Sequence, residues 1–554
     1  MKSSGIALFF FFNGIGLLTK SYSQQNQPDY TSRVEKYVFS DSLGKQQEQL
    51  SSNPLLKRFM KSRKAGESDK YRPVYHFVSP EGNLNDPNGL CFWKGNWHLF
   101  YQAYPPEDPR QHWGHAVSKD LIHWRDLPYA IYPGPEYQCY SGSTLVEKDR
   151  VIAMYHGTRL GNMIAIATDP FLLNWKKLTG DAVIPLHQST LLLPYTVFDP
   201  TLWKKDSCYY ALSAGSSTGG PGGKTVRADY LFRSKDLISW EYMHEFIKGD
   251  RFTQPGDDGA CPYFLPIGNH YILPFFSHRS GGQYFLGDYD KLHDEFVATG
   301  HGKFNFGATG PSGVHAPSAT TYGNDSVVII FNMNPGKPTH GWNQVMTLPR
   351  TLTLTGNDTL NIHPAGDIAS LRYNHQHINA RPIPANKEIV LKNIKGNAME
   401  IIAEIAVNDA PMFEINVLRS PDKQEFTRIA FFKERGFHQG RSYETPRPKD
   451  WQYKYNSLVT LETAYSSVLA DVLSRPPETA PVYVAADETL KLHVFIDKSV
   501  VEVFVNGRQC VAVRVYPGRN DSMGVSVRSQ GKAAELLTLD AWQMKNIYKE
   551  EKPQ

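Results

Sequence analysis

The sequence predicts an all-β protein, a five-bladed β-propeller followed by a C-terminal β-sandwich. After Tyr71 the chain consists of short aromatic and β-branched runs separated by Gly, Pro, Asn and Asp, without a sustained helical period. A turn motif recurs at about the spacing of a propeller blade. Alternating strands then resume in the last third of the chain.

The recurring motif reads SKDLIHW at 118–124 and SKDLISW at 234–240, with TDPFLLNW at 168–175 as a looser copy. Its Trp residues are 51 and 65 residues apart, which leaves room for four strands and their loops. Five blade-like segments follow one another, at 85–127, 137–180, 197–245, 260–298 and 315–355.

Changes in composition along the sequence divide the chain into five predicted parts: a signal peptide (1–23), a polar N-terminal extension (24–70), the propeller (71–372), a linker (373–388) and the sandwich (389–546). One helix is predicted in the extension, around NPLLKRFMKSRKAG at 53–66. In the sandwich, Asn506-Gly507 reads as a two-residue hairpin turn between alternating strands.

The N-terminus has the parts of a cleavable export signal. Met1-Lys2 precedes an apolar stretch at 6–18, and the small residues Ser21 and Ser23 suit a cleavage site. A membrane anchor is the alternative, but the apolar stretch is short and is interrupted by polar and glycine residues. We therefore expect a secreted or periplasmic protein.

Charge and cysteine content argue against several kinds of partner and site. The net charge of +4 is spread without a long basic run, so neither a nucleic-acid nor a membrane partner is expected. Five widely spaced cysteines favour buried thiols over a disulfide framework or a zinc site. We expect no metal and no cofactor, and the oligomeric state stays open.

Several motifs occur in one order: NDPNG (85–89), YQ (101–102), WGHAVSKDLIHW (113–124), YSGS (140–143), DP (199–200), CP (261–262) and WNQVMTLPRTLTL (342–354). Together they resemble glycoside hydrolase family 32, the invertases, levanases and inulinases, over about residues 71–545. The resemblance implies a five-bladed propeller with a pocket at its axis, a sandwich, and an oligo- or polysaccharide substrate. It also implies cleavage of β-fructofuranosyl linkages with retention of configuration by a pair of carboxyl groups.

The resemblance assigns Asp86 as the nucleophile and Asp199 as the acid that binds the sugar hydroxyls, with Asn85 and Gln102 as nearby donors. An Asx-turn that caps its own backbone is the alternative for Asp86. Ser141 belongs to the matching YSGS motif.

Aromatic residues are the next candidates for the pocket. Trp113, Tyr140 and Trp342 are candidate pocket walls because sugars stack on aromatic faces, although core packing explains any one of them equally well.

Three positions depart from the family pattern. Ala260 stands where a Glu precedes Cys-Pro, Phe198 where an Arg precedes Asp-Pro, and Asn83 where a Trp is common. Loss of a general acid typically costs about 10²–10⁴ in rate, so the unmodified mechanism cannot run efficiently.

The interpretation we favour is a divergent glycosidase whose general acid has moved to Asp258, two residues before Ala260 and on the same face of an extended segment. Asp257 is the second choice for the acid, and His278 and His315 are other candidate proton sources. The alternative without a catalytic role is that Asp258 belongs to a solvated turn. A catalytically inactive carbohydrate-binding propeller is the rival function. An engineered knockout is disfavoured because Phe198 and Asn83 depart as well.

Overall fold

The computed structural model describes residues 29–186, 193–356, 359–439, 454–485 and 487–549. The predicted signal peptide lies outside this part of the chain. The helices are α1 (Leu43–Ser52) and α2 (Pro54–Ala65), with 3-10 helices at Gly66–Ser68, Pro221–Gly223 and Ile368–Leu371. Among the described residues, no helix has the length and apolar character needed to span a bilayer.

The predicted helix of the N-terminal extension is α2. Asn53 caps it, because its Oδ1 accepts the backbone N–H groups of Leu55 (3.0 Å) and Leu56 (3.2 Å), and Pro54 occupies the first turn. Leu55 and Phe59 are buried in an apolar cluster shared with the first sheet. The extension is therefore packed onto the sheets that follow it.

Five sheets follow in chain order, and their strands pair antiparallel apart from one short parallel pairing of residues 247–248 with residues 296–297. Sheet 1 contains β1 (Leu84–Trp93), β2 (Asn96–Ala103), β3 (His112–Ser118) and β4 (Arg125–Ile131). Sheet 2 contains β5 (Cys139–Val146), β6 (Val151–Gly157), β7 (Gly161–Ala167), β8 (Lys176–Lys177) and β9 (Ile184–Pro185). Sheet 3 contains β10 (Pro200–Lys205), β11 (Cys208–Ser217), β12 (Val226–Ser234) and β13 (Trp240–Glu245).

Sheet 4 contains β14 (Ile247–Lys248), β15 (Leu265–Ile267), β16 (His270–Ser277), β17 (Gly281–Asp290) and β18 (Glu295–Lys303). Sheet 5 contains β19 (Val314–Tyr322), β20 (Ser326–Met333), β21 (Val345–Met346), β22 (Arg350–Thr355) and β23 (Thr359–Pro364). These five sheets fall on the five predicted blade segments.

Apolar clusters join each sheet to the next, and the fifth to the first. The junctions are represented in order by Phe100 with Tyr155, Ile164 with Phe232, Leu212 with Phe275, Ile272 with Phe331, and Ile330 with Leu99. The sheets therefore form a closed ring, as a propeller requires.

The repeated motif is an Asp-capped turn into the last strands of a blade. Asp120 and Asp236 each accept two backbone N–H groups at 2.8–3.0 Å through one carboxylate oxygen. The following residues, Leu121 and Leu237, share a left-handed backbone with φ of 70° and 68°. Asp290 caps a further turn of this kind, between β17 and β18, which lacks the Trp and was not recognised in the sequence.

Two large sheets form the C-terminal part. Sheet 6 contains β24 (Arg372–Ile378), β25 (Arg381–Ile383), β27 (Ala398–Ala406), β34 (Leu490–Asp497), β35 (Val500–Val505), β36 (Gln509–Arg514) and β38 (Ala534–Met544). Sheet 7 contains β26 (Glu388–Lys395), β28 (Met412–Arg419), β29 (Thr427–Phe432), β32 (Ser457–Glu462), β33 (Glu478–Val482) and β37 (Gly524–Gln530). A separate hairpin pairs β30 (His438–Gln439) with β31 (Lys454–Tyr455). Ile401 and Val494 of sheet 6 share one core with Ile415 and Val527 of sheet 7.

Two local predictions need correction. The interval 373–388 is not a free linker, because β24 and β25 pair with β38 and complete sheet 6. The hairpin at Asn506-Gly507 exists, but Val505 pairs with Gln509, so its loop has three residues. Asn506 and Gly507 both have positive φ there, 50° and 65°, as a tight turn demands.

A buried ionic network joins the ring to the sandwich. His76 Nδ1 lies 2.9 Å from Asp497 Oδ2, and His76 Nε2 lies 3.1 Å from Glu502 Oε1. Arg350 of sheet 5 donates to the second oxygen of Glu502 at 2.8 Å. Burial opposes charge on His76, but its hydrogen bonds to the two carboxylates prevail and raise its pKa to about 9.

We expect His76→Ala to lower the free energy of unfolding by about 3–5 kcal/mol, because it leaves two buried carboxylates short of a cationic partner. The stabilisation from His76 is fully present below about pH 6.5 and is lost as the pH rises through about 9. Urea denaturation at several pH values measures both effects. His293→Ala, which removes a highly exposed partner of Asp290, is the control and should change stability very little. Equal losses in the two variants would contradict the role of the network.

Candidate active site

All five sheets of the ring contribute to one cavity of about 310 Å³. Its polar lining comes from Asp86 and Gln102 of sheet 1, Ser141 of sheet 2, Asp199 at the entry to sheet 3, Asp258 and His278 beside sheet 4, and His315 of sheet 5. Residues far apart in sequence therefore meet where the sheets converge.

Asp86 lies in β1 at an irregularity of the strand pairing. The register with β2 shifts between Leu84 and Pro87, and again between Asn88 and Cys91. Gly89 has a φ of 48°, and a Cβ there would lie 2.6 Å from Thr144 Cγ2, so the NDPNG turn needs glycine at its end. The two bulges release Asp86 from the regular ladder and present its side chain to the cavity.

The Asp86 carboxylate is buried and held by three side chains. Oδ2 accepts from Ser141 Oγ at 2.7 Å and Gln102 Nε2 at 3.2 Å, and Oδ1 lies 3.1 Å from His315 Nδ1. Burial would raise the pKa of Asp86, but His315 and Ser141 outweigh it and hold the pKa below its ordinary value. The group is thus an oriented, ionised carboxylate at neutral pH, the state that a nucleophile requires.

Asp199 is joined to Asp86 through Cys261. The Cys261 thiol lies 3.4 Å from Asp199 Oδ2 and 3.7 Å from Asp86 Oδ2, and the Cys261 backbone N–H donates to Asp199 at 3.0 Å. Cys261 has a φ of 50°, in the left-handed region that non-glycine residues rarely adopt. Burial, and then the charge of Asp86, raise the pKa of Asp199 to about 6. The two carboxyl groups therefore have different affinities for a proton.

A chain of amides supports this pair. Gln111 Nε2 donates to Gln102 Oε1 at 2.8 Å, while Asn85 Oδ1 accepts from Asn332 (3.1 Å) and Gln344 (3.0 Å). Asn85, Gln102 and Gln111 all line the cavity. Asn85 and Gln102 were predicted from the sequence but Gln111 was not, since a Gln two residues before a tryptophan carries no distinctive pattern.

Ala260 also lines the cavity, and its backbone pairs with Phe276. Asp258 reaches the same cavity, although the segment is not extended as predicted, because Gly259 has a φ of 61°. Asp257, the second choice as acid, is buried elsewhere and accepts hydrogen bonds from Ser277 Oγ (2.7 Å) and Gln254 N (2.8 Å). Its role in the structure is to cap a turn.

Asp258 is paired with His278. Its Oδ2 lies 2.5 Å from His278 Nδ1, and its Oδ1 accepts the His278 backbone N–H at 3.0 Å. Burial would raise the pKa of Asp258, but the hydrogen bond from His278 and its charge lower it below the ordinary value. The hydrogen bond to Asp258 in turn raises the pKa of His278. The pair therefore keeps its proton on the imidazole.

His278 lies close to the other titratable groups of the cavity. Its ring centroid is 5.8 Å from that of His315, which contacts Asp86. Phe198 completes the wall; 56% of its surface is exposed, and its ring stacks on His156 with centroids 5.6 Å apart. The position where the family pattern has Arg thus presents an apolar face to the cavity.

The two predicted pocket tryptophans are not brought to the cavity. Trp113 is fully buried, and its Nε1 donates to the backbone oxygen of Tyr140 at 2.9 Å. Trp342 is 2% exposed and donates to Asp69 Oδ2 at 2.7 Å. Core packing is the reason in both cases, and Trp113 holds the backbone of Tyr140, next to Ser141. Asn83, the third departure, is exposed and does not line the cavity.

Family models match nearly the whole described chain. The Glycosyl hydrolases family 32 N-terminal domain matches residues 76–364, and the Glycosyl hydrolases family 32 C terminal domain matches residues 367–543. The chain belongs to glycosyl hydrolase family 32. Ala260 and Phe198 are therefore departures inside a family 32 cavity.

Relatives within family 32 are distant but matched over most of their length. A levanase of Bacillus subtilis is 26% identical over 533 residues, covering 87% of this chain and 71% of the levanase. A fructan 6-exohydrolase of Beta vulgaris is 26% identical, covering 86% of this chain and 88% of the relative.

Solved structures of family 32 proteins share the fold. Fructan 1-exohydrolase IIa from Cichorium intybus superposes with a TM-score of 0.74 at 20% identity, covering 86% of this chain and 98% of the other. Sucrose-6-phosphate hydrolase from Lactobacillus gasseri superposes with a TM-score of 0.68 at 21% identity, covering 89% of this chain and 96% of the other. The predicted propeller-and-sandwich architecture is confirmed by these likenesses.

Proposed function

We propose that this protein hydrolyses β-fructofuranosides of the sucrose or fructan type, with Asp86 as the nucleophile and His278, held by Asp258, as the proton donor. One observation carries the proposal. Asp86, ionised and hydrogen-bonded by three side chains, lies together with Asp199 in a family 32 cavity. The names of the relatives, levanase and fructan 6-exohydrolase, support fructose-containing substrates.

The proposed reaction has two steps. In the first, Asp86 attacks the anomeric carbon while the bond to the leaving oxygen breaks, and that oxygen takes the proton of His278. The result is an ester between the fructosyl unit and Asp86. In the second step water attacks the same carbon, gives a proton to the now neutral His278, and frees Asp86. Asp199 binds the sugar hydroxyls as positive charge builds on the ring.

His278 replaces Asp258 as the proposed acid for an electrostatic reason. A group that gives up a proton must hold it beforehand, and the lowered pKa of Asp258 leaves that carboxyl ionised. His278 has the raised pKa and lines the cavity. Asp258 then acts as the positioning residue that keeps the imidazole charged. The general acid is still relocated from position 260, but it is His278 and not Asp258.

Ala260 keeps a second candidate function open, a catalytically inactive protein that binds carbohydrate. One experiment separates the two. Purified protein is incubated with sucrose, levan, inulin and an aryl fructofuranoside, and released fructose or phenol is measured together with binding by calorimetry. Turnover that Asp86→Asn abolishes supports the glycosidase, whereas saturable binding with no turnover on any substrate supports the binding protein.

We also propose that residues 1–23 direct export and are then removed. The support is the charged start, the short apolar stretch and the small residues before position 24. N-terminal sequencing of the protein recovered outside the cytoplasm is expected to begin near Gln24. An intact Met1 on the exported protein would contradict cleavage.

A further inference from the structure

Three metal-ligand side chains meet on the sandwich, outside the active-site cavity. His375 and His377 are two residues apart on β24, so their side chains leave the same face of the strand. Asp540 on β38 lies directly opposite His377 in the strand register. His375 Nε2 and His377 Nδ1 lie 2.7 Å and 2.8 Å from the same oxygen, Asp540 Oδ1.

The three ligand atoms all lie within 4.8 Å of one another. Within the described part of the chain, no other group of three or more His, Cys, Asp or Glu side chains has ligand atoms that converge in this way. Two imidazole nitrogens and one carboxylate oxygen therefore lie close enough together to coordinate a single cation.

Both histidines also contact a further residue. His377 Nε2 lies 3.1 Å from Asn379 Oδ1, on the opposite side of the ring from the Nδ1 that faces Asp540, so Asn379 and Asp540 together hold the ring in place. The His375 ring stacks on Trp542 with centroids 4.8 Å apart and an angle of 11° between the rings. Metal-ligating histidines typically have a polar outer partner that fixes the ring orientation, and Asn379 is placed to be that partner of His377.

From these contacts we propose that His375, His377 and Asp540 form a binding site for a divalent transition-metal ion of the Zn²⁺, Ni²⁺ or Cu²⁺ class. Imidazole ligands select these ions over Mg²⁺ and Ca²⁺, which prefer oxygen donors. Three protein ligands leave a position for water, and because both histidines are exposed, a bound ion can exchange with solvent. A bound ion links the first strand after the propeller to the last strand of sheet 6.

The test is calorimetric titration of the full-length mature protein with ZnCl₂. We expect one ion per chain, and a rise in Kd of at least about tenfold in His375→Ala, His377→Ala and Asp540→Asn. Asn379→Ala should weaken binding about tenfold without removing a ligand, because it removes the contact that orients the His377 ring. Excess MgCl₂ should not compete.

His123→Ala is the matched control. His123 and Asp120 form a similar pair with nearly the same exposure, 43% and 26% against 44% and 26% for His377 and Asp540, but no second histidine joins them. Zn²⁺ binding should be unchanged in this variant. Circular dichroism without metal checks that each variant is folded. Absence of saturable binding up to about 1 mM Zn²⁺, or binding that survives His375→Ala together with His377→Ala, would overturn the proposal.

Discussion

Asp86→Asn is expected to lower kcat for fructofuranoside hydrolysis by roughly 10⁴-fold or more, with little change in fold. The substitution keeps the shape of the side chain but removes the charge that attacks the anomeric carbon, so the covalent step is lost. Steady-state release of fructose from sucrose and levan measures the effect.

A graded control comes from Ser141→Ala. This variant removes one hydrogen bond to Asp86 Oδ2 but leaves the carboxylate in place. We expect about a ten- to hundredfold loss, since hydrogen bonds to charged groups contribute about 1.5–3 kcal/mol. Retention of more than a tenth of the wild-type rate in Asp86→Asn would exclude Asp86 as the nucleophile.

The same substitution should change Asp199. The charge of Asp86 is the second cause, after burial, of the raised pKa of Asp199, so in Asp86→Asn that pKa should fall below about 6. NMR titration of the labelled carboxyl carbon measures it. An unchanged pKa would mean that the two carboxyl groups are not electrostatically coupled.

His278→Gln is expected to lower kcat by about 10²–10⁴ on sucrose and fructans, whose leaving oxygens need a proton. An aryl fructofuranoside with an acidic phenol should lose much less, because its leaving group departs without protonation. His270→Gln is the control, since His270 forms a similar pair with Asp288 in the same sheet but does not line the cavity. Equal losses on both substrate types would show that His278 does not act as the acid.

The pH profile distinguishes Asp258 from a merely structural residue. His278 is active when protonated, so activity should be present below its pKa and be lost as the pH rises through it. The hydrogen bond to Asp258 raises that pKa, and Asp258→Asn should therefore move the basic limb to lower pH. An unmoved limb would remove Asp258 from the mechanism.

Ala260→Glu tests whether a carboxyl group at position 260 can replace His278 as the proton donor. In the His278→Gln background, a carboxyl group at position 260 should recover part of the lost rate on sucrose, because Ala260 lines the same cavity. The recovered activity should follow the titration of a carboxylic acid instead of an imidazole. Failure of the rescue with intact binding would indicate that position 260 cannot reach the leaving oxygen.

The blades could be predicted because their signals are local. Strand alternation has a period of two residues, and the Asp-capped turns at Asp120 and Asp236 close hydrogen bonds within three residues, so both leave a readable pattern. The turn at Asp290 uses the same contacts without the Trp and was missed. The strands β24 and β25 were read as a linker because their partner, β38, lies more than 150 residues away.

The sequence by itself determined the fold class, the ordered family motifs, and the places of Asp86 and Asp199, because motif spacing and strand period survive as one-dimensional patterns. Only the tertiary structure decided that Trp113 and Trp342 are buried away from the cavity, and that Asp258 is paired with His278. Burial and proton affinity depend on neighbours brought together from other sheets. The absence of the acid at position 260 could therefore be seen in the sequence. Its proposed replacement, His278, depends on the contact with Asp258, twenty residues earlier in the chain.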